Sequence, residues 1–384
     1  APAAEAAGTA LLIGLALAGL VAFCNATSSA QLAAVHPESG GTYVYGRRQL
    51  GPAWGHLAGW GFVVGKTASC AAMAIAFGAY VWPEQERIVA IGAVVAIAVI
   101  NLGGLERTVR VTRVLLSVTA ATLLAVVIAA WTGDDASLDR LTPIDASTYE
   151  ILQSGGLLFF AFAGYARIAT LGEEVRDPAV TIPKAVPRAL AMVLVVYVVV
   201  GVTAVAAVGP AVLAATDAPL RAVVEVAGAD AVVPFVRVGA AIATLGVLLN
   251  LVPGVARTTL AMARRRELPS FFAHVDSERN LPIRAEATVV VVVAALVIAL
   301  GLRSAIAVSG TAILTYYAIT NAAALTLPPE QRRWPQSVAV VGLIGCVVLA
   351  AALPWRELLV GAGVLALGAL VRLATVGRVD DPSA

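Results

Sequence analysis

The sequence predicts an all-α integral membrane protein, and two observations support this fold class. First, 60% of its 384 residues are hydrophobic, only 13% are charged and the mean hydropathy is +0.89, whereas soluble domains are roughly half apolar. Second, apolar stretches near the ~20 residues that cross a bilayer recur along the whole chain. The expected partner is therefore the lipid bilayer, and the net charge of +2 gives no reason to expect nucleic acid.

Eleven apolar stretches qualify as candidate transmembrane spans. They lie at about 8–34, 53–82, 88–105, 114–131, 151–172, 189–213, 231–262, 287–302, 304–327, 336–353 and 357–373. Cys24, Cys70 and Cys346 fall inside spans without metal-ligand spacing, so we interpret them as small packing residues. No catalytic motif or metal-binding pattern accompanies the spans, and we expect neither an enzyme nor a cofactor or metal.

The distribution of basic residues predicts the orientation. If the first span runs from outside to inside, eighteen of the 26 lysines and arginines fall on the inner side and six on the outer side, and Lys66 and Arg167 lie within spans. Because cytoplasmic loops are enriched in basic residues, we expect the start of the chain to lie outside the cell membrane and the C-terminus to be cytoplasmic.

One segment has glycines and charged residues that a lipid-facing helix does not require. It is GGLLFFAFAGYARIATLGEEVRDPAVTIPKAVPR at 155–188. Gly155, Gly156 and Gly164 interrupt its apolar part, and glycine is a poor helix former, so a helix break is expected there. A break at membrane depth frees backbone groups that suit a zwitterion. The alternative is close packing of a neighbouring helix on small residues.

The sequence of this segment resembles a known transporter family. FFAFAGYARIATLGEEVRDPAVTIPKAV is similar to the sixth span and following loop of the amino acid–polyamine–organocation (APC) transporters, with their Gly-aromatic break and E-E-[VK]-x-[ND]-P-x-x-x-I-P loop. AQLAAVHPESGGTYVYGRRQLGPAWGHLAGW and GVARTTLAMARRRELPSFFAHV resemble other parts of the family. The resemblance implies a LeuT-type bundle with inverted repeats at 1–132 and 133–327, and two peripheral spans and a tail at 328–384.

The resemblance also implies that the first span of this chain corresponds to the second of the family. About 11 helices of an expected 12 would then be present, in agreement with the odd number of spans and the outside start. We expect residues 1–384 alone, as a truncated fragment, neither to bind nor to transport substrate. An upstream segment of roughly 25–45 residues with a Gly-rich broken span should restore both activities.

Substrate-binding residues follow from the same resemblance. The unwound stretch of the family's sixth span offers carbonyls to the substrate amino group and an aromatic lid. The matching positions are Phe160, Ala161, Phe162, Ala163, Gly164 and Tyr165. Many relatives have an acid after the Gly-aromatic pair, where this chain has Ala166 and then Arg167. Arg167 either lines a pathway or extends toward the headgroups near Glu173 and Glu174.

Lys66 is the candidate coupling residue, because it lies some dozen residues into the second predicted span. A charged amine at that depth costs a few kcal/mol, so it should face an interior site or a partner. The pKa of a lysine shifts readily on desolvation, as proton coupling requires. Some relatives use a lysine on the fifth span, where this chain has Thr119. The alternative is a structural bond from Lys66 to a carbonyl or to a hydroxyl such as Thr67 or Ser69.

Charged residues of the cytoplasmic loops are candidates for an inner gate. Acidic and basic members would form ion pairs that close the inner side, although a solvated face is the alternative. The candidates are Glu173, Glu174, Arg176, Asp177, Arg47, Arg48 and Arg257. Pro178 and Pro183 would fix the chain as it leaves the helix. RRRE at 264–267 is interpreted mainly as a topology anchor that also attracts anionic lipid.

These features predict a secondary active transporter of amino acids that works by alternating access. Protons or a counter-substrate are the expected coupling partners, because the TLGVLLN run at 244–250 offers few hydroxyls for sodium. A positive Lys66 disfavours cationic side chains and favours neutral amino acids. The alternative substrate is a polyamine or another small organic amine. A channel would need a continuous polar stripe, and an enzyme would need convergent nucleophiles or metal ligands.

Overall fold

The computed structural model describes residues 1–37, 40–101, 108–133, 135–142, 145–165, 177–276 and 281–376. These residues form helices and no strands, which confirms the predicted all-α class. The first half contains α1 Pro2–Ala7, α2 Leu11–Val35, α3 Thr42–Gln49, α4 Pro52–Val81, α5 Glu86–Asn101, α6 Thr108–Thr132 and α7 Thr148–Phe162. The second half contains α8 Pro178–Ala214, α9 Pro219–Val226, α10 Val233–Arg264, α11 Ile283–Ala299, α12 Leu302–Leu325, α13 Gln336–Ala351 and α14 Trp355–Val376.

Each of the eleven predicted spans overlaps one of the longer helices. Within the described chain, six segments are long and apolar enough to cross a membrane: Pro2–Val35, Pro52–Val81, Arg113–Thr132, Val180–Ala214, Asp230–Arg264 and Leu302–Leu325. Helices α13 and α14, bent by 117° at their junction, make a seventh if they form one broken span. Helices α5, α7 and α11 have only 16, 15 and 17 residues, so the total of eleven spans stays a prediction.

Three short helices, α1, α3 and α9, have no counterpart among the predicted spans. Helix α3 follows Gly41, whose φ of 56° is unfavourable for residues with a side chain. Its Thr42 amide donates to Tyr316 Oη over 3.1 Å, and the Thr42 and Thr320 hydroxyls are 2.7 Å apart. These bonds attach α3 to α12, because a polar backbone buried in the bundle must find partners there.

Close helix packing accounts for Gly155 and Gly156, and the helix break expected at these two residues is wrong. Helix α7 runs through both of them without interruption. A Cβ on Gly156 would come within 2.7 Å of Leu349 O on α13, and a Cβ on Gly14 of α2 would come within 2.6 Å of Ser154 Oγ. Small residues allow helices to approach closely where lipid supplies no hydrophobic driving force.

Helix α8 begins at Pro178, eleven residues before the predicted span. Proline at the first position of a helix loses no hydrogen bond. Pro183 and Pro187 lie inside the helix, so the expectation that Pro183 guides the chain out of the preceding helix is wrong. The regular helix is interrupted at Gly209, whose φ is 74° and ψ is 164°.

Helix α4 is central to the part of the bundle that carries the candidate site. It packs against α10 and α12, and its N-terminal part contacts α3 and α14. Helix α2 packs against α7 and α8. This arrangement brings Lys66 of α4 to the C-terminal end of α7.

Candidate substrate site at the end of α7

The α-helical part of the sixth-span segment ends at Phe162. Residues Ala163–Tyr165 continue as a 3-10 turn, and the Ala163 amide donates to Phe160 O. Gly164 in this turn is exposed, and a Cβ added to it would meet no atom within 4 Å. The backbone at Gly164 is therefore open to a neighbouring group.

Two side chains from other helices bind carbonyl groups at the end of α7 and at the start of this turn. Tyr197 Oη of α8 donates to Ala161 O over 2.8 Å, and Lys66 Nζ of α4 donates to Ala163 O over 2.7 Å. The final carbonyls of a helix have no partner within the helix, so they need external donors. The Phe162 ring also contacts the Tyr197 ring edge-on, with centroids 5.1 Å apart.

Lys66 is 5% exposed, and the nearby hydroxyls named as alternative partners bind elsewhere. Thr67 Oγ1 donates to Val63 O over 2.6 Å. Ser69 Oγ donates to Gly65 O over 3.0 Å and lies 2.8 Å from Ser309 Oγ. Lys66 forms no salt bridge with any carboxylate in the described ranges. Lys66 therefore makes the bond to a carbonyl that the structural alternative expects. The same carbonyl, Ala163 O, belongs to the predicted substrate stretch, so this bond is also compatible with the functional hypothesis.

A cavity of about 1170 Å³ adjoins this turn between α4, α6, α8 and α10. Most of its lining is leucine, valine and alanine, and its polar lining includes Lys66, Thr119, Tyr197, Asn250, Arg257 and Thr258. Thr119 Oγ1 donates to Leu115 O over 2.8 Å, so this hydroxyl is used within its own helix. The lining that the structure describes contains the cations Lys66 and Arg257 and no carboxylate.

The predicted substrate residues occupy different environments. Gly164 lines the cavity, whereas Phe162 and Ala163 are each only 2% exposed. Ala161 is exposed and Phe160 is half-buried. The side chain of Tyr165 lies outside the described part, so its predicted role as a lid stays a prediction.

Two of the three acidic members of the predicted inner gate, Glu173 and Glu174, lie in 166–176, outside the described residues. The same applies to Arg167 and Arg176. Asp177 is exposed, has a left-handed φ of 51°, and its carbonyl accepts the amides of residues 180 and 181 over 3.0 and 2.9 Å. Arg48 of α3 is exposed as well. Closure of a gate by pairs among these residues stays a prediction.

Arg47 pairs instead with Glu267, the acid of the RRRE run that the sequence predicted mainly as a topology anchor. Glu267 is 3% exposed and forms a salt bridge with Arg47 of α3. His56 Nδ1 of α4 lies 3.4 Å from Glu267 Oε2, and Arg372 Nη1 of α14 lies 3.9 Å from Oε1. His56 Nε2 is also 2.8 Å from Gly368 O. A single acid after three arginines was the only sequence signal for this cluster, which joins three helices.

Comparison with known proteins identifies the family. The amino acid permease family matches residues 1–371. An uncharacterized transporter of Mycobacterium tuberculosis is 55% identical over 369 residues, which cover 96% of this chain and 84% of that protein. The methylthioribose transporter of Bacillus subtilis is 27% identical over 73% of this chain and 66% of its own length. The vacuolar cationic amino acid transporter 4 of Arabidopsis thaliana is 25% identical over 76% of this chain and 53% of its own length.

The family match, the long apolar helices and the all-α architecture all indicate a helical membrane transporter. The protein is a multi-pass membrane transporter, and the chain belongs to the amino acid permease family of the APC superfamily.

Proposed function

We propose that this protein is a secondary active transporter of neutral amino acids in the cytoplasmic membrane. The observation that carries the proposal is the bond from Lys66 Nζ to Ala163 O. It places a buried cation on the predicted substrate stretch, at the edge of a cavity large enough for an amino acid. The family to which the chain belongs supports amino acids as the substrate class.

The charge of the cavity supports neutral rather than cationic substrates. The two distant relatives transport, by their names, methylthioribose and cationic amino acids, so the family alone does not decide the substrate. Lys66 and Arg257 line the cavity without a carboxylate in its described lining. Like charges in a site of low dielectric constant repel strongly, which disfavours arginine, lysine and polyamines.

Protons or a counter-substrate are the proposed coupling partners. In the 244–250 run of α10, the hydroxyl of Thr244 donates to the carbonyls of Ala240 and Ala241, over 3.0 Å in each case. Thr244 is the only hydroxyl-bearing residue of this run, so the run offers few hydroxyl ligands for sodium. Lys66 is the proposed coupling group, because loss of its proton would remove the positive charge that strengthens its bond to Ala163 O.

Transport itself would follow alternating access. The repeats at 1–132 and 133–327 would rock against each other around the end of α7, with the N-terminal residues of this chain outside and the C-terminus in the cytoplasm. The loop after α7 would close the inner side. In this mechanism Tyr197 and Lys66 hold the substrate stretch in position while no substrate is bound.

Uptake by the full-length gene product in proteoliposomes tests the proposal. The panel contains radiolabelled leucine, alanine, arginine, putrescine and methylthioribose, with an inward proton gradient, with a sodium gradient or with internal counter-substrate. Protein-free liposomes are the control. We expect uptake of leucine or alanine that depends on the proton gradient or on internal amino acid. Preferential uptake of arginine, putrescine or methylthioribose, or strict dependence on sodium, would contradict the proposal.

A further inference from the structure

Lys66 has more hydrogen-bond donors than the described protein uses. An ammonium group carries three N–H donors, and Lys66 donates to Ala163 O alone among the described acceptors. It is also 5% exposed and has no salt bridge to a described carboxylate. A buried cation with one neutral acceptor is poorly solvated, so an anionic group beside it would be strongly favourable.

The second cation of the cavity differs from Lys66 in this respect. Arg257 has a partner of its own in the protein. The hydroxyls of Thr67 and Ser69 bind carbonyls of their own helix and cannot neutralise a cation. Lys66, by contrast, has no salt bridge to any carboxylate among the described residues.

The backbone around Lys66 leaves room for a ligand. Ala163 O fixes the position of Nζ next to Gly164, where a Cβ would meet no atom within 4 Å. Ala161, two residues before Ala163, is held in a similar way, because its carbonyl accepts a hydrogen bond from Tyr197 of α8. Lys66 is therefore a fixed cation beside open backbone, a suitable arrangement for an anion that must be bound and released.

We propose that Lys66 binds the carboxylate group of the substrate. Its bond to Ala163 O positions the ammonium, and its remaining N–H donors bind the carboxylate oxygens. The inference rests on the proposed function for the substrate class. The chemical group that is bound, a carboxylate, and the residue that binds it, Lys66, can be tested independently of that class. Its consequence is a selectivity rule: a carboxylate that lacks an amine still binds, whereas an amine that lacks a carboxylate does not.

Matched ligand sets test this rule on the wild-type full-length protein. The probes are leucine, alanine and phenylalanine, each with its decarboxylated amine and its deaminated acid. Ligand binding is measured as thermal stabilisation in detergent and as inhibition of labelled leucine uptake. We expect the amino acids and the deaminated acids to bind and the amines to bind at least about tenfold more weakly, since a charge-assisted bond is lost.

Variants of Lys66 assign the effect to this residue. Lys66→Met should weaken amino acid and acid binding at least about tenfold and remove the preference for acids over amines. Lys66→Arg should retain the preference, because it keeps the charge. The control is Arg221→Met, which removes an exposed cation paired with Glu225 outside the cavity. It should leave both affinity and selectivity unchanged.

The outcomes separate this inference from the proposed function. Binding of the deaminated acids without binding of the amino acids would contradict amino acid transport and support the assignment of Lys66. Equal binding of amines and acids by the wild type would overturn the assignment. So would unchanged acid selectivity in Lys66→Met, or failure of the wild type to bind any carboxylate of the panel. The wild-type selectivity tests the carboxylate rule even if one variant fails to fold, and whichever of Lys66→Met and Lys66→Arg folds tests its assignment to Lys66.

Discussion

Lys66 and Glu267 are both buried charged residues, and the protein surrounds them in opposite ways. The carboxylate of Glu267 has the guanidinium groups of Arg47 and Arg372 and the ring of His56 around it. The ammonium of Lys66 has only a backbone carbonyl as its hydrogen-bond partner among the described residues. One charge is therefore matched by the protein, and the other is not.

The difference indicates different roles. A buried carboxylate that contacts Arg47 of α3, His56 of α4 and Arg372 of α14 holds helices together, and its removal leaves a buried cation uncompensated. A buried cation without a matched partner costs stability and, inside a membrane protein, is by default a hypothesis about function. Its position on the cavity agrees with that distinction.

The largest effect is expected from Lys66→Ala. Under the proposed coupling role, this variant should abolish accumulation driven by a pH gradient and retain counterflow exchange at saturating substrate. Loss of the titrating group removes coupling without destroying the cavity. Parallel assays of gradient-driven uptake and counterflow in proteoliposomes provide the measurement. Unchanged pH-driven accumulation would exclude Lys66 as the coupling group.

Glu267→Gln should mainly affect stability. It removes the buried negative charge that pairs with Arg47 and lies 3.9 Å from Arg372, and we expect a loss of about 3 kcal/mol, seen as a lower melting temperature in detergent. Glu225→Gln is the matched control, because Glu225 pairs with Arg221 at the surface and should cost under about 0.5 kcal/mol. A similar loss in both variants would remove the distinction between the buried cluster and a surface pair.

Gly156 and Gly164, both in the segment 155–188, should respond differently to a larger side chain. Gly156→Ala should lower the free energy of unfolding by about 1–3 kcal/mol through overpacking, because its Cβ would meet Leu349 O at 2.7 Å. Gly164→Leu has open space, so it should leave the melting temperature nearly unchanged and abolish substrate binding by filling the space beside the open backbone. Full substrate affinity in Gly164→Leu would place the site elsewhere.

Tyr197→Phe is the mildest change. It deletes the hydroxyl that donates to Ala161 O and retains the ring that contacts Phe162. We expect a loss of about 1 kcal/mol in substrate affinity, a several-fold increase in KM with little change in melting temperature. A loss of transport as complete as in Lys66→Ala would give Tyr197 a larger role than positioning the carbonyl.

The sequence predicted the helical architecture better than the contacts of the site. Hydropathy located the long helices because lipid requires long apolar segments. It missed α3, whose position depends on bonds from Thr42 to α12. The glycine content of the segment suggested a break at Gly155 and Gly156, with helix packing as the alternative. Composition could not decide between the two, because it does not distinguish a glycine that ends a helix from one that packs against another helix.

Long-range partners were the least predictable part of the site. The position of Lys66 in the middle of a predicted span indicated a functional role. Its acceptor could not be predicted, because Ala163 lies 97 residues away in the chain. The role of Glu267 was not predicted because its partners come from α3, α4 and α14, which no local pattern relates. The sixth-span resemblance supplied the stretch Phe160–Tyr165, whereas Tyr197 as a donor to it became visible only in three dimensions.

The most direct test compares Lys66→Met and Glu267→Gln in the same preparation, with melting temperature and leucine affinity measured on each. The expected result is a crossed pattern. Lys66→Met should melt near the wild-type temperature, because removal of an unmatched buried charge offsets the loss of the donor to Ala163 O, and should bind leucine at least about tenfold more weakly. Glu267→Gln should melt lower and bind leucine normally. Loss of stability in Lys66→Met with unchanged leucine affinity would contradict a functional role for the unmatched cation.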